Sequence, residues 1–196
     1  MGADAAALTL RQARERYFAR QHLGDGGYAD RWVKLQAGPI PLYFPNTRAR
    51  VRAVKLHDLH HLLTAYDTSW RGEAEIGAWE IASGCGRHYP AWVLNLCAVA
   101  VGLVIAPRAV HQAFLRGCYS GNLYCARECD AALLERRVGE VRHALGLDRV
   151  APRPAPRDHA RFAAWAAVSA VTVAGLWAGA VMVGVVALAA LVRRLG

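Results

Sequence analysis

Residues 47–66 read TRARVRAVKLHDLHHLLTAY, and this stretch decides the class of the fold. Its apolar residues recur at the three- and four-residue intervals of one helix face, at Val51, Val54, Leu56, Leu59, Leu62 and Leu63. Asn46 or Thr47 supplies the side chain expected at a helix N-terminus. We therefore predict a helix over this stretch, ended by the polar segment 66–72.

Helical patterns continue on both sides of this stretch. Thr9 and Gln12 have the spacing of a capping box, which predicts a helix up to about Leu23. Downstream, the patterns predict helices over 73–84, 91–106, 108–116 and 126–145. The segment 91–106 is apolar nearly all round, which indicates a buried helix or one that dips into a membrane face. At ~1.5 Å per residue it would be about 24 Å long, short for a full crossing.

No segment alternates apolar and polar residues as a half-buried strand does. The prolines of 38–46 indicate an extended, ordered loop, anchored by Leu42, Tyr43 and Phe44, and Trp32 is expected to pack inward. The predicted fold class is therefore all-α: a compact multi-helix domain over 1–149, followed by a single C-terminal transmembrane helix.

The C-terminal region carries the membrane prediction. Residues 150–161 form a proline- and arginine-rich linker, and the following segment is uncharged from Phe162 to Val192. One crossing needs about 20 residues, so we predict a transmembrane helix over 162–194. Gly175 and Gly179 form a GxxxG pattern that could pack two such helices into a homodimer.

Charge indicates the orientation of this helix. Arg153, Arg157 and Arg161 precede the helix, and Arg193 and Arg194 follow it. Because positive charge is enriched on the cytoplasmic side of a span, this count places the helical domain on the cytoplasmic side. The N-terminal MGADAAALTL has no apolar signal-peptide core, in agreement. The net charge of +9 comes with no nucleic-acid-binding motif, so we expect no nucleic acid partner. The five cysteines are interpreted as reduced, small buried hydrophobes, with Cys125 and Cys129 on one helix face.

The same opening stretch carries the candidate site. His57 and His61 are four residues apart and share a helix face with Asp58 between them, and Glu73 follows Gly72 at the start of the next helix. Imidazoles and carboxylates are the ligands of zinc and other divalent first-row ions. We predict a metal site at these four residues, with zinc first and iron or manganese as alternatives. His60 and Glu80 are candidates for supporting the ligands, or for plain surface residues.

The motif HDLHH, followed by eleven residues and Glu73, resembles the HDxxH-x11-E signature of the coenzyme Q biosynthesis protein four family. The resemblance extends over 48–147 and includes Asn122, Leu123, Tyr124 and the closing VGEVRHALGL. It implies an all-helical, membrane-associated protein that binds a divalent metal through His57, Asp58, His61 and Glu73. The implied activity is oxidative removal of the C1 carboxylate from a polyprenyl-hydroxybenzoate ring, beside a scaffold role among other quinone-biosynthesis enzymes.

Three hypotheses follow. The first is a metal-dependent membrane decarboxylase or lyase of ubiquinone or related prenyl-lipid synthesis, acting on a polyprenylated ring dissolved in the lipid bilayer. The second is a non-catalytic scaffold or adaptor that binds lipid and has a structural metal. The third is a membrane-anchored helical protein whose histidines are surface residues. It alone would remain if His57 and His61 lay on different faces, or were solvated and far from Glu73.

Overall fold

The computed structural model describes residues 3–21, 24, 26–37, 40–125 and 129–195. This part of the chain is mostly helical, as the sequence predicts, with one small two-stranded sheet. In chain order the elements are α1 (Ala3–Ala7), α2 (Leu10–Gln21), β1 (Trp32–Ala37), β2 (Ile40–Pro45), α3 (Arg48–Thr64), α4 (Trp70–Ser83), α5 (Tyr89–Ile105), α6 (Pro107–Cys118), a 3-10 turn (Leu123–Cys125), α7 (Ala131–Glu135), α8 (Val138–Ala144) and α9 (Pro156–Leu195).

The helix predicted from the opening stretch is α3, and its limits lie within two residues of the expected ones. The Thr47 hydroxyl accepts the backbone N–H of Arg50 at 3.2 Å and caps the first turn. Ala65 ends the helix in the left-handed conformation, with φ of 63°. Half of the predicted apolar face is fully buried, namely Leu56, Leu59 and Leu63, and this part joins the core. The other three residues, Val51, Val54 and Leu62, are half-buried.

Helix α4 is the centre of the core and packs against both α5 and α6. Two glycines permit these close approaches. A Cβ at Gly102 would collide with the side chains of Ala74 and Val110, and one at Gly117 would collide with the carbonyl oxygen of Trp79. The burial of α4 matters for function because this helix carries both Glu73 and Glu80.

Residues 40–45 of the extended loop predicted over 38–46 form β2, which pairs with β1 as an antiparallel hairpin, so the absence of strands was a wrong prediction. Residues 38 and 39 lie outside the described residues. Pro41 and Pro45 are tolerated in β2 because a two-stranded ladder leaves one edge of each strand unpaired. Trp32 pairs with Pro45 and is 53% exposed, so its predicted inward packing is wrong. Tyr43 is also exposed, which removes it from the predicted anchors.

The single helix predicted over 126–145 is also wrong in part. Residues 126–128 lie outside the described residues, and the remainder forms α7 and α8, separated at Arg136 and Arg137. These two arginines are extended because the N-terminal segment pairs with them. The N–H of Leu10 donates to the Arg136 carbonyl at 2.9 Å, and the N–H of Val138 donates to that of Leu8 at 2.9 Å. A tertiary contact therefore overrides the local helical pattern.

The cysteines differ from their prediction as well. All five are free thiols, but only Cys85 is buried, and Cys125 is exposed. Cys125 ends the 3-10 turn and Cys129 lies outside any helix, so the two do not share a helix face.

Helix α9 begins at Pro156, inside the predicted linker 150–161, and continues to Leu195. It is the one helix among the described residues that is long and apolar enough to cross a membrane, and the mean hydropathy of its most apolar 18 residues is 2.3. Its first turns pack on the domain: Phe162 and Trp165 contact the core, and Asp158 and Ser169 are buried. A Cβ at Gly175 or Gly179 would meet nothing within 4 Å, so the GxxxG face is open within one chain.

Candidate metal centre

Three side chains from α3 and α4 converge on one point. The Nε2 atoms of His57 and His61 are 3.1 Å apart. Glu73 places one carboxylate oxygen 3.3 Å from Nε2 of His57 and the other 3.4 Å from Nε2 of His61. Ligands bound about 2.1 Å from a tetrahedral ion lie about 3.4 Å from one another. Each imidazole nitrogen therefore lies at a ligand-to-ligand separation from the other nitrogen and from one of the two Glu73 oxygens. With one ligand atom taken from each residue, the three atoms lie within 4.8 Å of one another, so the group could hold a metal ion.

The turn between the two helices delivers Glu73 to this point. Ser69 caps α4 and accepts the backbone N–H of Gly72 at 3.1 Å. A Cβ at residue 72 would collide with the Asp67 carbonyl oxygen, so only glycine fits there. Asp67 in turn accepts the backbone N–H of Ser69 at 2.9 Å. Glu73 then enters the site from the first turn of α4, as the sequence predicts.

Hydrogen bonds orient both histidine rings. Nδ1 of His61 lies 3.0 Å from the backbone carbonyl of Tyr66, which can only accept, so Nδ1 carries the proton. Nδ1 of His57 donates to the Glu80 carboxylate at 2.8 Å. Both Nε2 lone pairs therefore face the shared point, where only a proton or a cation relieves their repulsion. A metal-binding histidine usually has a hydrogen-bond partner of this kind on the ring nitrogen that does not bind the metal.

The electrostatics of His57 agree with this arrangement. Burial alone would lower the pKa of His57, but the carboxylates of Glu80 and Glu73 outweigh it and raise the pKa well above its ordinary value. The pKa of Glu73 falls to about 2, since the histidines on it outweigh the opposing effect of its burial. The carboxylates of Glu73 and Glu80 therefore create a negative potential at the metal point, which favours a positive charge there.

Glu80 is the support of the site, and it is not a surface acid. Its carboxylate is completely buried and receives four hydrogen bonds, from His57 at 2.8 Å, His60 at 2.6 Å, Asn95 at 2.5 Å and Tyr124 at 2.9 Å. Burial would raise its pKa, but the facing histidines hold the pKa well below the usual range. A carboxylate with every lone pair engaged is held rigidly, and it holds His57 in turn.

His60 points away from the metal point and into the core. Its Nδ1–H donates to Glu80, and its Nε2 accepts the backbone N–H of Leu123 at 2.9 Å. Burial lowers its pKa, which agrees with a neutral ring that donates on one side and accepts on the other. His60 therefore links α3, Glu80 and the 3-10 turn, and it is not solvent-facing.

Asp58 is not brought into the converging group. Its carboxylate accepts a hydrogen bond from the hydroxyl of Tyr28, and burial raises its pKa. The group formed by the described residues contains His57, His61 and Glu73 only. Asp58 lies close enough to both histidines to act on them electrostatically, so it lies beside the site without being one of the converging ligands.

Two residues of the site were missed by the sequence interpretation, namely Asn95 and Tyr124. Asn95 is the one amide in the otherwise apolar α5, and an unpaired amide there would be costly to bury. That cost could have identified Asn95 as a partner for a buried acid. Tyr124 lies within the Asn122–Tyr124 segment noted in the resemblance, but its partner could not be assigned from spacing alone.

The site is open on one side. His61 is buried, while His57 is 18% exposed and Glu73 is 36% exposed. The exposure of His57 and Glu73 makes the metal point accessible, unlike a closed structural site with four protein ligands. A separate open cavity of about 650 Å³ borders Tyr28, the partner of Asp58, and its lining includes Arg14, Phe18, Tyr28 and Lys55 but none of the three candidate ligands.

Comparison with protein-family models, curated proteins and solved structures finds no match to this chain. The geometry of the site is therefore the basis of the metal assignment.

Proposed function

We propose that this protein is a membrane-anchored, divalent-metal-dependent enzyme of ubiquinone or related prenyl-lipid synthesis. The observation that carries the metal assignment is the set of three separations of 3.1–3.4 Å among His57, His61 and Glu73. Two imidazoles and a carboxylate suit zinc, and also iron or manganese. With three protein ligands, an ion has room for a substrate oxygen.

The resemblance to the coenzyme Q biosynthesis protein four family supplies the reaction class, oxidative loss of the C1 carboxylate from a prenylated hydroxybenzoate. The cavity beside Tyr28 suits an acidic aromatic substrate, because among its described lining residues the two cations Arg14 and Lys55 outnumber the one acid, Glu15, and Phe18 and Tyr28 offer ring contacts. A bound metal would act as a Lewis acid on a ring or carboxylate oxygen. Glu80 holds the ring of His57, and Gly72 admits Glu73.

The assay that tests the reaction uses the full chain in liposomes with a polyprenyl-hydroxybenzoate, loaded in turn with zinc, iron(II) or manganese under air. We expect loss of the ring carboxylate, followed by mass spectrometry, with the redox-active metals, because zinc has no redox chemistry. Glu73→Gln is the matched inactive control. Metal binding without turnover of this substrate would leave the lipid-binding scaffold with a structural metal.

The membrane assignment rests on α9, the candidate span of Pro156–Arg194. The arginines at its two ends favour a cytoplasmic helical domain, and Gly175 and Gly179 offer a face for a homodimer. Other enzymes acting on the same apolar substrate are the expected protein partners.

Charges placed in the middle of α9 provide a direct test of the span. We expect the double variant Val181→Asp and Val185→Asp to leave the membrane fraction on alkaline extraction, because each aspartate costs about 2.5–3.5 kcal/mol near the centre of a span. The control is Val150→Asp, an exposed position outside any helix, which should stay in the pellet like the wild type. Retention of the double variant in the pellet would contradict the span.

A further inference from the structure

Helix α5 has an exposed face without a polar side chain on it other than one thiol. With 3.6 residues per turn, the residues of this face cover about one third of the helix circumference. They are Val93, Leu94, Cys97, Val101, Val104 and Ile105. Val104 is 83% exposed. Soluble monomers rarely expose a contiguous apolar patch of this kind without a partner for it.

The other sides of α5 are already occupied. Ala91, Asn95, Val99 and Gly102 are buried on the side that packs against α4. A neighbouring side meets α9, where Trp92 stacks on Trp165 with ring centroids 5.2 Å apart. The apolar face is therefore the side of α5 that packs neither on the core nor on α9, and it lies next to α9.

The length of α9 brings this face to the depth of lipid. The uncharged segment 162–192 would be about 46 Å long at ~1.5 Å per residue, about 16 Å more than the ~30 Å hydrocarbon core. The part of α9 that packs on α5 belongs to this uncharged segment, since Trp165 lies near its start. A bilayer that surrounds the rest of α9 therefore lies directly beside the exposed face of α5.

The charges around this face fit the head-group region. Arg108 follows α5 by three residues and is exposed, and Arg157 is exposed in the first turn of α9. Arginine side chains near the end of an apolar helix extend to the lipid phosphates. The face thus has apolar side chains for the acyl chains and cations for an anionic surface.

We propose that the exposed face of α5 inserts into the same leaflet that α9 enters, with lipid acyl chains as its occupant. This inference rests on the proposed membrane span of α9. Two helices would then hold the domain against the bilayer, whereas α9 alone would let the domain move away from the membrane surface. Because Asn95 of α5 donates to Glu80 at 2.5 Å, the helix in contact with lipid would be the one that supports the metal site.

Nitroxide labels on the full chain test this in liposomes that contain anionic lipid. The background carries alanine at Cys97, Cys118, Cys125 and Cys129, while Cys85 is buried and inaccessible to the label. Single cysteines are placed by Val104→Cys, Val101→Cys, Val183→Cys in the span, and Ala144→Cys on the exposed side of α8. Each label is relaxed by oxygen, which concentrates in hydrocarbon, and by a nickel chelate, which remains in water.

We expect the labels at Val104 and Val101 to give an oxygen-to-nickel ratio close to that at Val183 and several-fold above that at Ala144. A water-like ratio at Val104 and Val101 with a lipid-like ratio at Val183 would overturn the insertion of α5 and leave the span intact. Water-like ratios at all four positions would overturn the span as well. Protection from both reagents, with dipolar broadening between labels, would assign the face to a second copy and equally overturn the proposal.

Discussion

After loading with zinc and removal of free metal, the wild-type chain is expected to retain about one ion, and His61→Ala and Glu73→Ala are expected to lose it. Each substitution removes one of three donor atoms, so we expect affinity to fall by more than the 10–100-fold typical of losing a supporting residue. Metal content by mass spectrometry of the purified proteins, followed by competition with a chelator, measures this directly.

Matched controls separate ligand loss from general damage. Glu75→Ala removes another α4 carboxylate, one that pairs with Arg71 at 3.4 Å, and His143→Ala removes an exposed histidine on α8. Both should retain the ion. Wild-type protein that is folded yet binds no zinc, iron or manganese would refute the metal site, and with it the enzyme proposal.

Asp58→Asn distinguishes the observed arrangement from the four-ligand motif. Because Asp58 faces Tyr28 and lies outside the converging group, we expect a smaller loss of affinity than in Glu73→Ala. A loss as large as that of Glu73→Ala would mean that Asp58 leaves Tyr28 and coordinates the ion.

The second large effect is expected at Glu80, where Glu80→Ala should destabilise the domain by about 3–5 kcal/mol, the usual cost of breaking a buried charged pair. The substitution leaves four buried donors without an acceptor, on His57, His60, Asn95 and Tyr124. Denaturant unfolding with a chelator present measures the free energy of unfolding without any contribution from metal binding.

Glu135→Ala is the matched control for this prediction. Glu135 is exposed and pairs with Arg11 at 2.8 Å on the surface, where such pairs contribute about 0–1 kcal/mol. Glu80→Gln keeps the size of the side chain and should fold better than Glu80→Ala, but it should bind metal about 10–100-fold more weakly, because the amide orients His57 less well. Unfolding free energies equal to wild type for both Glu80 variants would contradict the supporting role.

Several features of the site were predictable because they depend on neighbours in the chain. The four-residue spacing of His57 and His61 places both rings on one side of α3, and the segment ending at Gly72 returns the chain so that Glu73 meets them. The capping box of Thr9 and Gln12 forms as predicted, with the Thr9 N–H donating to the Gln12 side chain at 3.1 Å. Such contacts span a few residues, so the helical period and capping chemistry suffice to anticipate them.

Other features depend on contacts that no local pattern contains. Asp58 has a position suitable for coordination, but Tyr28, thirty residues away, takes its carboxylate. The pattern of 126–145 is helical, but pairing with the chain around Thr9 extends Arg136 and Arg137. The hairpin at 32–45 exists because β1 and β2 satisfy each other's backbone groups, which neither segment does alone.

The helical class, the long apolar C-terminal helix and the meeting of His57, His61 and Glu73 can be read from the amino-acid sequence, since each follows from residue period, length or a short turn. The packing of distant elements is what makes Glu80 the buried support, with Asn95 and Tyr124 as its partners, and what turns Asp58 toward Tyr28. A buried carboxylate must accept hydrogen bonds from the donors that the packed helices place next to it, and those donors are adjacent only after the core has formed.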